Sequence, residues 1–112
     1  MAVNVVIADG VQPSVTTVTT LYSPASNTGG ARITAFTVYN ATATPTTYSV
    51  FIISNGGTAG AQFEIIYQAT LAAGATDAVP AIINQLIPAG GSIAIQVANA
   101  NTAAVRASGI LF

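Results

Sequence analysis

The sequence predicts an all-β fold: an antiparallel sandwich of about seven or eight strands, immunoglobulin-like or jelly-roll-like, with no substantial helix. Three observations carry that reading. Val, Ile and Thr dominate beside Ala, and these three suit a pleated, half-buried surface. Ten Gly and five Pro break the chain at short intervals, so turn signals recur at the spacing of a sandwich. No helical period runs long enough to cross between parallel strands, which leaves two packed antiparallel sheets as the natural solution.

Each element follows from its residues. Residues 3–8 (VNVVIA) form a short β-branched run that stops at the turn pair Asp9-Gly10. Residues 14–22 (SVTTVTTLY), after Pro13, read as a Thr/Val-rich strand, and 23–30 (SPASNTGG) as a loop. In 31–40 (ARITAFTVYN), strict alternation puts Thr34, Phe36 and Val38 on one face and Ile33, Ala35 and Tyr39 on the other. Both faces are partly apolar, which predicts cover on both sides. Residues 46–53 (TTYSVFII) alternate Tyr48, Val50 and Ile52 against Ser49, Phe51 and Ile53, and Asn55-Gly56 starts a turn. Residues 61–70 place Phe63, Ile65 and Tyr67 opposite Gln62, Glu64, Ile66 and Gln68. After Gly74 a brief pairing is expected around Asp77–Val79. In 81–87 (AIINQLI), Ile82, Ile83, Leu86 and Ile87 share a helical face, but the run is too short for a stable helix. It reads as an irregular or single-turn connection that plugs one end of the core. Residues 91–98 put Ile93, Ile95 and Val97 on one face, and 104–112 set Val105, Ala107 and Leu111 against Arg106, Ser108, Ile110 and Phe112. The expected organisation is one sandwich domain over 1–112, with 1–20 as either its first strand or an N-terminal arm.

Charge is the most restrictive property of the chain. Asp9, Arg32, Glu64, Asp77 and Arg106 are its only ionised side chains, 4 % of residues against about a quarter in an average domain. Lys, His and Cys are absent. A surface so poor in ions points to cover by other protein. With no basic patch, binding to nucleic acid through phosphates is not expected. The N-terminal run lacks the positive flank of a signal peptide, and no apolar stretch is long enough for a membrane helix, so no membrane partner is expected.

The same inventory removes most chemistry. General acid–base catalysis draws on His or a tuned carboxylate, and a serine nucleophile needs a base. Neither His nor Lys is present, and the three carboxylates are scattered along the sequence. Metal binding through N or S donors is excluded without His and Cys. No catalytic residue, cofactor or metal is therefore expected, and the chain reads as a non-enzyme. Gly90-Gly91 is a tight turn and not a phosphate loop, because no Lys follows. Asn40-Ala41-Thr42 matches the glycosylation triplet, and it is discounted because nothing suggests secretion. Tyr22, Tyr39, Tyr48 and Tyr67 are candidates for a sugar platform or, more simply, for the core and rim of a sandwich.

What remains are candidate interface residues. Val3, Val5 and Ile7 alternate in the first run and suit either an arm exchanged with a neighbour or an ordinary strand. Arg32 and Arg106 sit inside strand patterns, where each either lays its stem over apolar neighbours or reaches a partner chain. Phe112 shares the Arg106 face.

Three segments have a familiar pattern: LYSPASNTGGARITAFTVYNATATPTTYSVFII (21–53), IIYQATLAAGATDAV (65–79) and LIPAGGSIAIQVANANTAAVRASGILF (86–112). Together they resemble small β-sandwich virion proteins of tailed bacteriophages. The resemblance implies a structural, non-catalytic role as a capsid decoration or cement protein, with a neck or tail ring component as the nearest alternative. It also implies a homo-oligomer that contacts the major capsid protein or other virion proteins, located in the virion after assembly in the host cytoplasm. A carbohydrate- or receptor-binding sandwich module is the competing class, and an exposed aromatic cluster beside convergent polar groups would distinguish it.

Overall fold

The computed structural model describes residues 2–112, and among these the chain forms nine strands and one 3-10 turn. The strands are β1 (Val3–Val11), β2 (Thr19–Tyr22), β3 (Ala31–Asn40), β4 (Thr46–Ile53), β5 (Glu64–Leu71), β6 (Thr76–Ala78), β7 (Leu86–Ile87), β8 (Ser92–Val97) and β9 (Ala103–Leu111). One sheet runs β1-β9-β3-β6, with β7 also on β3, and the other runs β2-β8-β4-β5. All pairings are antiparallel. β1 pairs with β9, β2 with β8, β3 with β6 and β7, and β4 with β5, so the chain is one nested hairpin with its tip at residues 54–63. Rolling that hairpin until β9 also meets β3, and β8 also meets β4, gives the two-sheet jelly roll. Of the two sandwich arrangements open to the sequence, this is the one adopted.

The inward rows build one core between the sheets. Ile33, Phe36, Val38, Val50, Leu71, Ile93, Ile95, Val97 and Val105 are all buried in it, with Ile82 and Ile87 closing one end. β8 and β9 keep the alternation expected of them, with Ile93, Ile95 and Val97, and Val105 and Ala107, pointing inward.

Elsewhere β-bulges shift the alternation. In β3 an extra residue lies between the pairs Ile33–Gly109 and Ala35–Ser108. A bulge reverses the facing of everything after it. Ile33 and Phe36 therefore both point into the core, while Ala35 and Tyr39 point out. The expected cover on both faces of β3 is not provided within this chain. In β5, Tyr48 pairs with Ala69 but Val50 with Ile66, so two residues, Tyr67 and Gln68, lie opposite Ser49. Gln68 takes a φ of 43°, and its N–H turns to the Ser49 hydroxyl oxygen at 2.9 Å.

Other differences have equally local causes. β1 runs through Asp9-Gly10 to Val11 because Gly10, at φ 67°, forms a bulge instead of a turn. The strand expected over 14–22 is confined to Thr19–Tyr22. Residues before it cross from one sheet to the other, tied by Asn101 N–H to the Pro13 carbonyl and by Gln96 Nε2 to the Thr16 carbonyl. Phe63 leaves the expected strand face because residues 61–63 form the 3-10 turn. It folds with Ala59 onto Phe51, Ile53 and Ala94, a second small core on the outer side of the four-stranded sheet. In 81–87, Ile82 and Ile87 plug the core as expected, but Leu86 is exposed.

Two polar anchors hold the roll. Asn40 is fully buried, and its Nδ2 donates to the carbonyls of Thr44 and Leu71 while its Oδ1 accepts from the Thr42 N–H and hydroxyl. The amide of the glycosylation triplet is thus consumed inside the fold. Tyr48, 3 % exposed, donates its hydroxyl to Asp77 Oδ2 at 3.0 Å and ties β4 of one sheet to β6 of the other. Burial, and then the adjacent Asp77 carboxylate, hold the Tyr48 hydroxyl well above the ordinary tyrosine range.

Asn40→Ala strands these groups without partners and is expected to cost about 2–3 kcal/mol in urea unfolding. Because the folded pKa of Tyr48 is raised, its stabilisation is complete below an unfolded value of about 10 and is lost as pH rises past it. Tyr48→Phe is expected to lower stability at pH 7 by about 1–3 kcal/mol and to flatten the alkaline decline above pH ~10. Unfolding curves at the two pH values measure both effects.

Candidate functional site

The outer face of the five-stranded sheet is the most extensive candidate surface. The rows Asp9–Arg106–Thr37, Val6–Ser108–Ala35 and Asn4–Ile110–Arg32 run across β1, β9 and β3. Ala35 and Ser108, with the backbone of Ala107 and Gly109, form a floor of small residues in two adjoining troughs of about 540 and 350 Å³, with Val6 bordering both. Val6 is 64 % exposed. Thr34 and Thr37 turn their hydroxyls to the backbone carbonyls of Ser108 and Arg106. With these hydroxyls satisfied within the sheet, the face is less polar than its threonine content suggests. Gly109 is part of this geometry: a Cβ there would meet Ile7 Cδ1 at 2.8 Å and overlap the Arg32 carbonyl oxygen.

The candidate interface residues all lie on or beside this sheet, in different environments. Ile7 is buried in the chain's own core, Val5 packs against it, and Val3 at the strand's start is about half exposed. Arg106 pairs with Asp9 across β1 and β9 at 2.9 Å, with both side chains more than 70 % exposed. Arg32 lies over the Phe112 ring, 5.6 Å from its centre. Both arginines thus have partners within the chain, and both remain at the rim of the face.

The outer face of the other sheet has a different chemistry. One end is covered by the 54–63 loop through Phe63. The rest is an uncharged, largely polar cleft of about 210 Å³, lined by Thr16, Thr47, Ser49, Gln68 and Gln96 with Val97 and Ala98. Sequence reading missed this cleft, because strict alternation does not reveal that the bulge at Tyr67-Gln68 turns both residues outward. The positive φ of Gln68 has no local sequence signal such as Gly or Asn.

Among the described residues no group of three His, Cys, Asp or Glu side chains converges. Asp9 is engaged by Arg106, Asp77 by Tyr48, and Glu64 lies on β5 of the opposite sheet. The four tyrosines do not gather either. Tyr48 is buried, Tyr22 half-buried, Tyr39 on the outer face of the five-stranded sheet, and Tyr67 on the other.

The jelly roll is shared with proteins of a known virus. A structure of infectious bursal disease virus, Gx strain, matches over 99 % of this chain at 18 % identity and a TM-score of 0.56. A subviral particle of the same virus, built of VP2, matches over 99 % at 16 % identity and 0.52. The chain spans 31 % and 32 % of the length of those proteins. At this identity the likeness is one of fold. No protein-family model and no curated protein matches the sequence.

Since the Asp9–Arg106 pair is solvent-exposed, Arg106→Ala is expected to change the stability of the isolated chain by no more than about 0.5 kcal/mol. Thermal unfolding of Arg106→Ala and Asp9→Asn, singly and together, measures it.

Proposed function

We propose that this chain is a non-enzymatic structural subunit of a virus particle, most specifically a decoration or cement protein of a tailed-phage head. It seats the outer face of its five-stranded sheet on the major capsid protein or on a neighbouring copy. The observation that carries this reading is that face: a broad surface of small and apolar residues whose charges, among the described residues, are the Asp9–Arg106 pair and Arg32, in a chain almost without charge. As a free surface it lacks the charge that keeps monomers apart. Covered by protein, it loses little, since few ions need desolvating.

The fold supports the same reading. Jelly rolls recur in viral capsid proteins, and the structural neighbours come from virus particles. The mechanism requires only area and repetition. A contact of roughly 1,000 Å² or more per copy adds a modest increment to one subunit junction. Repeated over a lattice, such increments raise the barrier to opening the shell. The lack of His, Lys and Cys narrows what a competing enzymatic role could draw on.

Particles purified with this chain are expected to show it on the outer shell at a copy number commensurate with the capsid lattice. A few copies at one vertex would reassign it to a neck or tail ring, and absence from particles would overturn the reading. Val6→Glu and Ala35→Glu each place an unpaired carboxylate in the proposed contact. Both are expected to fold normally and to reduce incorporation about ten-fold or more. Incorporation at the parental level would remove this face from the interface.

A further inference from the structure

We infer that the polar cleft on the four-stranded sheet is a binding site for a neutral saccharide. The site lies on the opposite face from the proposed docking surface and does not depend on the virion reading. Its core is one transverse row. Tyr67 and Gln68 lie opposite Ser49, and Ser49 pairs with Gln96. Gln96 then reaches the Thr16 carbonyl through Nε2 at 3.2 Å. Thr47, Val97 and Ala98 complete the lining, and Tyr67 stands next to Gln68 outside it.

Three features select the ligand class. First, every functional group in the row is an amide or a hydroxyl, so the cleft offers donors and acceptors without net charge. Both cationic side chains, Arg32 and Arg106, lie on the other sheet, which leaves no cationic side chain here to pair with a phosphate, sulfate or sialic acid. Second, the groups are not spent on one another. Ser49 is 5 % exposed, and its oxygen accepts the Gln68 N–H, yet its own proton has no acceptor among the described residues. The Gln68 amide and the Gln96 carbonyl oxygen are likewise free there. Third, the bulge turns Tyr67 outward beside the row, with 72 % of its surface exposed. A ring with an apolar face and a polar tip suits the alternating C–H and O–H faces of a sugar.

The backbone has been committed to this arrangement. Gln68 holds a left-handed φ of 43° that side chains other than Gly and Asn seldom adopt. Such strain persists where surrounding structure enforces it, and it gathers at ligand sites. The cleft volume of about 210 Å³ gives room for one sugar ring. The chemistry fixes a neutral hexose or N-acetylhexosamine unit as occupant, at the end or within a longer glycan.

Saturation-transfer NMR on the purified chain with glucose, galactose, mannose, N-acetylglucosamine and N-acetylgalactosamine, and with sialic acid as the charged control, tests this. Signal is expected from at least one neutral sugar and none from sialic acid. Tyr67→Ala is expected to weaken binding ten-fold or more with the melting temperature unchanged, and Gln96→Ala to do the same with a small drop in melting temperature from the lost tie to Thr16, while Tyr67→Phe keeps most of the binding. Gln68→Gly, which relieves the backbone, is expected to raise stability while reducing binding. Thr20→Ala, on the same sheet but outside the row, leaves binding intact. Absence of signal from every neutral sugar at millimolar concentration, or binding indifferent to the Tyr67 and Gln96 changes, would overturn the inference. Neither result bears on whether the opposite face docks in a particle.

Discussion

The structure depends on the double pairing of β9. This last strand hydrogen-bonds β1 along one edge and β3 along the other, so the two ends of the chain meet as the edge strand of the five-stranded sheet and its inner neighbour. Without it the nested hairpin would remain an open ribbon with two unburied faces. Its partners are distant in sequence, and the chain pays the loop-closure entropy of nearly its full length before the contact forms. That cost is recovered only when Ile33, Phe36, Val38 and Val105 meet Val50, Ile93 and Ile95 from the facing sheet. A fold dominated by such non-local pairs is expected to form slowly compared with a helical domain of equal size.

The outer faces divide what remains. On the five-stranded sheet, threonine hydroxyls are satisfied by backbone carbonyls, and small residues dominate between Val6 and Tyr39. On the four-stranded sheet, the 54–63 loop covers the apolar end and leaves a neutral polar row at the other. The two faces therefore have opposite preferences: one is suited to burial against protein, the other to exchanging water for a polar ligand. The edges reinforce this division. β6 and β7 are two or three residues long, β2 four, and β5 is broken by bulges, all devices that limit pairing with another sheet. β1 is longer, but it carries bulges at Ile7 and Gly10.

The few ions and buried polar groups act locally. Tyr48 and Asp77 fasten one sheet to the other, Asn40 organises its following loop, and Arg106 and Asp9 stitch two strands at the surface. These interactions fix geometry, while the apolar rows supply the burial that drives folding. A chain with so little charge has little long-range electrostatic steering, so recognition on either face falls to shape, methyl packing and neutral hydrogen bonds.

The sequence by itself determined the β class, the two-sheet sandwich, the strand and turn order from residue 31 onward, and the inward rows of β8 and β9. Those rows are legible because no bulge interrupts their two-residue period. Composition also removed the residue types that most catalysis and N or S metal ligation require. Tertiary structure decided the rest. Whether the sandwich closes as an immunoglobulin or a jelly roll depends on which distant strands become neighbours, and local pattern does not encode that. The facing of β3 and β5 depends on bulges at Thr34 and at Tyr67-Gln68, each of which reverses the alternation after it. Ile33 and Phe36, opposite in the sequence pattern, are thereby buried together, and Gln68 is brought out beside Tyr67, Ser49 and Gln96. One extra residue in a strand costs little locally, yet it determines which side chains the core keeps and which the surface presents.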